Sequence, residues 1–441
     1  MQQPYKNILV LGAAYGGHRA VKVLAEALSK LKGNWRIIVV EKNTHFNHIY
    51  AFPRFAVLGG HEYKACKLPW ALAHYLALTA YSTVIRYLNP CDKPGGIVHL
   101  QAQILSLNSH SATLDRAFPE HSFLTPQIDF EYAIYALGAS LPPPVNLWGP
   151  RLDAMLHGDQ NAVDTAGSKA DGVSWLQSAQ RAIDTAPSVL IIGGGALGIQ
   201  FATDIAAVHP RKKVTLLHSR AHLLPRFTQE MHDEIMRQMN HHGVEAILNE
   251  RLDVQTVADN KTNEAGQRVV RTLSGRELAA DLLLICTGQK PNTEVLATLD
   301  PTLLAANRRA RINRTMQLDA PAYQHIFAVG DCADAFNALC AGHTASGQGK
   351  LAANNLLRLI AREEQPDAEH EPLDLYSPPP PSIKVTLGLS LTRGDFVQDR
   401  GVSQTGTSPI RVSDTGREDL QCDYMWNAYG HTIESDEDMR A

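Results

Sequence analysis

The sequence predicts an α/β protein in which one βαβ unit is used twice, the second copy inserted inside the domain that the first begins. Three observations carry this. An apolar strand, a glycine turn and an amphipathic helix stand at residues 7 to 24, and the same order recurs from residue 187. Each unit later closes on an apolar strand ending in a small-x-Gly turn before proline, "YAIYALGASLPPP" (132–144) and "DLLLICTGQKPN" (281–292). A third such strand, "HIFAVGDCADA" (325–335), follows both and returns the chain to its first domain.

Composition sets the bounds. A chain of 441 residues is too long for one ordinary core, and 44% hydrophobic with 20% charged residues is ordinary globular usage. The net charge of −4 is spread along the chain without a polybasic stripe, so no nucleic acid partner is expected and small molecules are. The six cysteines contain no CxxC pair, which fits a reducing, cytoplasmic compartment. No basic leader precedes an apolar stretch, and no uninterrupted apolar run approaches the roughly 20 residues of a membrane helix.

In the first unit, Ile8 to Leu11 reads as a strand. A helix follows with Ala20, Val21, Val23, Leu24, Ala27, Leu28 and Leu31 at spacings of three and four, and "RIIVVE" is the second strand. Short continuous apolar strands are what a parallel sheet buried on both faces requires. Gly12, Ala14 and Gly17 hold the three positions of a GxGxxG-type turn, with Ala13 and Tyr15 between them and Gly16 adding slack. The first glycine permits the tight turn, the small middle residue lets a pyrophosphate approach, and the last lets the helix pack closely on the strand. The helix N–H groups then hold phosphates. Glu41 stands 24 residues past Gly17, where an acid accepts from adenosine ribose hydroxyls. The plainer alternative is a glycine-rich packing turn.

The second unit has strand "SVLIIG", the unmodified pattern Gly193, Gly195 and Gly198, a helix from Ala196 to Val208 and strand "KVTLLH". Two Rossmann-like dinucleotide-binding units in one chain point to two dinucleotides. One is a flavin (FAD) that stays bound; the other is a nicotinamide (NAD(P)H) that comes and goes, because hydride transfer needs both rings in one site. The second unit's acid is missing: His218 ends the strand, and Ser219 and Arg220 follow. A carboxylate there repels the 2′-phosphate of NADPH, whereas an arginine accommodates it, so NADPH is the expected coenzyme.

The expected division is 1–155 and 305–370 for the FAD domain, 156–304 for the NAD(P)H domain, 371–430 for a small C-terminal module and 431–441 for a disordered acidic tail. Pro378 to Pro381 form a stiff linker into the module. The long apolar stretch at 67–88 reads as a core helix, with a quinone-facing or membrane-skimming surface as the sharper reading. His241 and His242 precede Gly243 at a helix end, where their partial charge suits the dipole better than a metal would.

In order, GxAxxG, Glu41, "ALG", GxGxxG, "CTG" and "VGDCADA" resemble the two-dinucleotide-binding-domain flavoproteins of the pyridine nucleotide-disulfide oxidoreductase superfamily. The stretches "HFNHIYAFPR", "KKVTLLHS", "ICTGQKPN" and "VGDCADA" are closer still to the apoptosis-inducing factor 2 or ferroptosis suppressor group, whose members reduce quinones with NAD(P)H. The resemblance implies that Arg54 and Asp331 contact FAD, Asp331 through the ribityl chain, and that backbone near Gln103 touches the adenine; Gly138 falls in the matching "ALG" turn. Trp426 resembles the end of the family's C-terminal module, which lies near the flavin, while Gln421 takes a place that is aromatic in some relatives.

The chain departs from the superfamily twice. Residues 43 to 65 hold no cysteine and Cys66 stands alone, so no thiol relay is expected. Gln200 stands where many relatives have a glutamate that positions the nicotinamide; it keeps hydrogen bonding and loses the charge. His45 and His48 lie where a flavin or acceptor oxygen could be reached, though structural roles suit them as well. The resulting expectation is an FAD-dependent NAD(P)H oxidoreductase with a quinone-like or other aromatic acceptor. Two rivals remain open: a flavin monooxygenase, disfavoured by the lack of an FxGxxxH-like segment, and a redox-sensing protein with little turnover, to which Gln200 lends weight.

Overall fold

The structure, a computed structural model, describes residues 5–28, 30–69, 96–146, 149, 152, 167–390, 393–399, 410–428 and 433–440. The apolar stretch at 67–88 lies beyond Pro69 outside these residues. Among the described residues no helix is long and apolar enough to cross a membrane.

Strands β1 (Lys6–Leu11), β2 (Trp35–Glu41), β3 (Ile97–Gln101) and β4 (Tyr132–Tyr135) form a parallel sheet, and helix α1 (Tyr15–Leu28) carries the chain from β1 to β2. Two short helices follow β2, α2 (Phe52–Phe55) and α3 (Glu62–Ala65). Helix α4 (Lys169–Thr185) opens the second unit; its Ser168 cap accepts from the Asp171 N–H while Asp171 accepts back from the Ser168 N–H. Then come β5 (Ser188–Ile192), α5 (Ala196–Val208), β6 (Lys213–Leu217), α6 (Gln229–His241), β7 (Glu245–Ile247) and β8 (Leu282–Ile285). These four strands also pair in parallel, in the order β7-β6-β5-β8. Only then does β9 (Ile326–Ala328) pair with β4, completing the first sheet as β9-β4-β1-β2-β3. The expected insertion of one unit in the other is what this order describes.

Both sheets are buried because each central strand is apolar at nearly every position, with helices on their faces. On the first sheet, α1 packs on the long helix α7 (Gly342–Glu364). Their backbones meet directly: a Cβ at Gly349 would lie 2.1 Å from the Gly16 carbonyl oxygen. A Cβ at Gly16 itself would lie 3.2 Å from the Val329 side chain and 3.3 Å from the Ala345 carbonyl oxygen, so Gly16 also faces this helix crossing besides adding slack to the turn.

The two matching strand exits join one another. Ala139 and Ser140 pair antiparallel with Pro291 and Lys290, and Asn292 fastens the junction, its N–H donating to the Gly138 carbonyl (3.0 Å) and its Nδ2 to the Leu137 carbonyl (2.8 Å). The C-terminal module is an antiparallel sheet of β10 (Ile383–Ser390), β11 (Arg393–Asp399) and β12 (Ile410–Gly416), followed by α8 (Cys422–Ala428); β10 packs on α5. Trp426 is fully buried and donates its indole N–H to the Lys64 carbonyl at 2.9 Å.

The acidic end is a correction. Residues 433–440 fold back onto α3, where Met439 is buried, Asp436 meets the Lys64 ammonium at 2.8 Å and the Arg440 guanidinium lies 4.2 Å from the Tyr63 ring. Composition alone suggested solvation; a buried methionine and a buried lysine supply the anchorage that composition does not show.

Candidate functional site

The two glycine turns have the same geometry. Gly12 has φ +90° and a Cβ there would lie 2.6 Å from the Ala136 carbonyl oxygen; Gly193 has φ +119° and a Cβ 2.6 Å from that of Cys286. In each unit the last glycine lies against the first, so that a Cβ at Gly17 or at Gly198 would come within 1.9 Å of the carbonyl oxygen of Gly12 or Gly193. The middle positions behave oppositely. Ala14 is exposed and Gly195 faces open space, leaving room for a bound group to reach the backbone. Gly195 caps α5 without a side-chain bond, so the first N–H groups of that helix await an anion.

The residue after the first glycine donates its N–H to the residue that ends the second strand, and here the units differ. Ala13 N–H donates to Glu41 Oε2 at 2.9 Å, while Gly194 N–H donates to His218 Nδ1 at 3.0 Å. Glu41 Oε1 accepts from the Asn43 backbone and side chain as well. Because His218 Nδ1 accepts, the proton sits on Nε2, which donates to the His222 carbonyl at 3.0 Å. Burial holds the ring below the usual histidine range, so it is neutral where the first unit has a carboxylate. Ser219 and exposed Arg220 follow on a loop tied to the glycine turn, since Leu224 N–H donates to the Gly194 carbonyl at 3.1 Å.

The turn after β9 and the start of α7 enclose an opening lined by Asp331, Arg309, Cys340, Thr344 and Gln348. Burial pushes the Asp331 carboxyl up, against the pull of the Arg309 guanidinium. Gln348 Oε1 accepts from the Gly330 N–H at 2.7 Å. Thr344 is 5% exposed and its hydroxyl has no hydrogen-bond partner, and Ala341 gives α7 no side-chain cap. A carboxylate, a buried unpaired hydroxyl and uncapped helix N–H groups fit a flavin, whose ribityl hydroxyls donate and whose ring carbonyls accept. Asp331 is named by the sequence reading; Arg309, Thr344 and Gln348, which line the same opening, are not. The available clue was the start of α7 at Ala341 and Gly342, with no capping residue, directly after "VGDCADA". Removing the carboxylate in Asp331→Ala should weaken flavin binding by about ten- to hundredfold, the equivalent of a charge-assisted hydrogen bond of about 1.5–3 kcal/mol. Flavin released on denaturing the gel-filtered variant measures this; full occupancy would remove Asp331 from the site.

Gln200 lies on α5 two residues past Gly198. It is 6% exposed, and its amide stands close enough to the Asp204 carboxylate to favour that group's charged form. Gln103 stands just past β3, whose Gln101 pairs with Glu41; its N–H and carbonyl are both held by Asp115. Gly138 adopts φ +65° in the interdomain turn. Arg54 is a correction: it is fully buried, with Nε and Nη2 on the Asp204 carboxylate at 2.8 and 3.0 Å, and none of its surface opens to a cofactor.

Around the first glycine turn runs an aromatic group. Tyr15 OH bonds His48 Nδ1 at 2.9 Å, its ring meets Phe46 edge-on at 5.2 Å, and Tyr50 lies 5.8 Å from His48. Burial, with help from the Lys169 charge, lowers His45 from 6.5 to about 4. The unfolded chain therefore takes up a proton below pH 6.5 that the folded chain resists, and stability is lost as pH falls from 6.5 towards about 4. Melting temperatures across that window should flatten in His45→Gln; an unchanged slope would clear His45. Burial pushes the Cys332 thiol up to about 12 and that of Cys286 higher still. Backbone pairing sets Cys66 opposite Asn47, and its side chain lies outside the described residues.

Residues 6–352 match the family described as pyridine nucleotide-disulphide oxidoreductase. The chain is 39% identical to Fe-regulated protein 8 of Mycosarcoma maydis over 427 residues, covering 96% of this chain and 95% of that protein. It is 28% identical to ferroptosis suppressor protein 1 of Homo sapiens over 252 residues, 56% of this chain and 61% of that protein, less than two thirds of either. Among solved structures it resembles the sulfide:quinone oxidoreductase of Aquifex aeolicus, with a TM-score of 0.62 at 15% identity over 96% of this chain and 90% of that one.

Proposed function

The chain belongs to the pyridine nucleotide-disulphide oxidoreductase family, and on that footing we propose an FAD-dependent NADPH oxidoreductase whose flavin gives electrons directly to a quinone-like or other aromatic acceptor. The observation that carries this reading is the pair of matched glycine turns, one closed by the carboxylate of Glu41 and the other by the neutral ring of His218. When bound, the two cofactors supply hydride transfer from nicotinamide to flavin, so no side-chain nucleophile is required.

The protein's part is to bind and orient. Glu41 accepts from the adenosine ribose, Asp331 from the ribityl chain, and Thr344 with the α7 N–H groups donates to the flavin ring. Gln200, buried on α5 just past the second glycine turn, would orient the nicotinamide. Arg220 and Ser219 take the 2′-phosphate, with no carboxylate at position 218 to repel it. Tyr15 and Tyr50, the part-exposed rings of the group packed on buried Phe46 and His48, would offer a flat acceptor a face. Among the described residues Cys286, Cys332 and Cys340 stand outside any disulfide, in keeping with a reducing, cytoplasmic compartment.

Turnover should be independent of thiols. In Cys66→Ser, or after alkylation of the accessible cysteines, quinone reduction should stay within about a factor of ten of wild type, less than about 1.4 kcal/mol in barrier. Complete loss in Cys66→Ser with flavin still bound would contradict it. A screen of quinones and other aromatic acceptors against NADPH and NADH tests the acceptor class directly; a flavin that is reduced once and then reoxidised by no acceptor would favour a sensor.

A further inference from the structure

We infer that Arg54 and Asp204 form an interdomain pin that holds the nicotinamide-binding helix in register with the flavin loop, making Arg54 a positioning residue for hydride transfer rather than a ligand of FAD; the inference rests on the two-cofactor reading above. Three parts of the chain meet at this pair. Arg54 comes from α2, which follows β2 of the first sheet in the chain and packs into the core of the second unit, and Asp204 comes from α5 of that unit. The Gly388 carbonyl of β10 and the Glu418 carbonyl before α8, both from the C-terminal module, accept from the same guanidinium at 3.2 and 3.5 Å.

The geometry is that of a fixed joint. Two parallel N–H···O bonds define the guanidinium's direction as well as its distance. Neither side chain exposes any surface, so solvent does not compete for either charge. Asp204 lies four residues beyond Gln200 on the same face of α5, and the Gln200 amide is near enough to favour the carboxylate's charged form. A rotation of α5 that loosened Asp204 would carry Gln200 with it. On the other side, Arg54 and Asp204 both act electrostatically on the Tyr50 hydroxyl, which belongs to the loop beside the first glycine turn. The pair thus joins the residue that meets the nicotinamide to the loop that borders the flavin.

Replacing a buried ion pair by apolar residues of similar size is often tolerated, so stability alone does not require these charges. The test is Arg54→Met/Asp204→Leu, which leaves no bare charge, with Arg54→Lys as a second variant that keeps charge and loses the fork. Flavin content, NADP⁺ affinity by calorimetry, and the rates of flavin reduction by NADPH and reoxidation by quinone are measured separately. We expect full flavin content, NADP⁺ affinity within about threefold and unchanged reoxidation, with reduction slowed by about ten- to hundredfold in the double variant, as a misplacement of about 1 Å produces. Arg54→Lys should fall between it and wild type, and it decides the matter should the double variant not fold. Flavin loss in Arg54→Lys comparable to that in Asp331→Ala would make Arg54 a flavin ligand, and an unchanged reduction rate would make the pair purely structural; either overturns the inference. Failure of the cofactor reading itself would show in the wild type, as absence of flavin or of reduction by NADPH.

Discussion

Gly198→Ala is expected to give a folded, yellow protein whose flavin NADPH reduces at least about a hundredfold more slowly. A Cβ at this position would stand 1.9 Å from the Gly193 carbonyl oxygen, a distance no side chain tolerates. Helix α5 must lift from β5, and with it move the N–H groups for the pyrophosphate and the amide of Gln200; a shift of about 1 Å at a reacting pair costs about a hundredfold. The glycine turn proposed to hold the flavin lies on the other sheet, away from this clash. Gly17→Ala carries the same 1.9 Å clash, against Gly12, in the first unit, and its expected result is the reverse: a pale protein that has lost FAD. Released flavin and single-turnover reduction rates measured on both variants test the assignment of cofactor to unit. Equal flavin loss in the two would show that it is wrong.

His218→Glu/Arg220→Ala should reverse the coenzyme preference. Wild type is expected to favour NADPH by about ten- to hundredfold, since a charge-assisted contact contributes about 1.5–3 kcal/mol and 1.4 kcal/mol is tenfold. A glutamate at 218 would stand where Glu41 stands in the first unit, accepting the glycine-turn N–H with one oxygen and ribose hydroxyls with the other. Its charge would then repel a 2′-phosphate that no longer has Arg220 opposite it. Ratios of kcat/KM for the two coenzymes check this, and a wild type indifferent between them would show that Arg220 does not read the phosphate.

Much of this site is legible in the sequence because its parts are local. A glycine turn, the helix after it and the residue ending the next strand lie within about 30 residues, the span of one βαβ unit, so Gly12, Gly17, Glu41, Gly193, Gly198 and His218 declare themselves by spacing. Asp331 does so through the strand that precedes it. Arg54 illustrates the opposite case. Its partner is 150 residues away, on a helix of the other domain, and nothing near "FPRF" reveals where a long cationic side chain ends. Gly349 is a like case, since a Cβ there would meet the Gly16 carbonyl oxygen on a helix far earlier in the chain. The fold of residues 433–440 depends on Lys64 and Tyr63, which no pattern in an acidic segment announces.

Anaerobic titration with NADPH, counting electrons against flavin, tests most directly the claim that one flavin links two dinucleotide sites without a thiol relay. The flavin's visible absorbance should bleach completely with a single equivalent of NADPH per flavin, and identically after the thiols have been alkylated. Uptake of a second equivalent that alkylation abolishes, or a flavin that NADPH leaves oxidised, would contradict it.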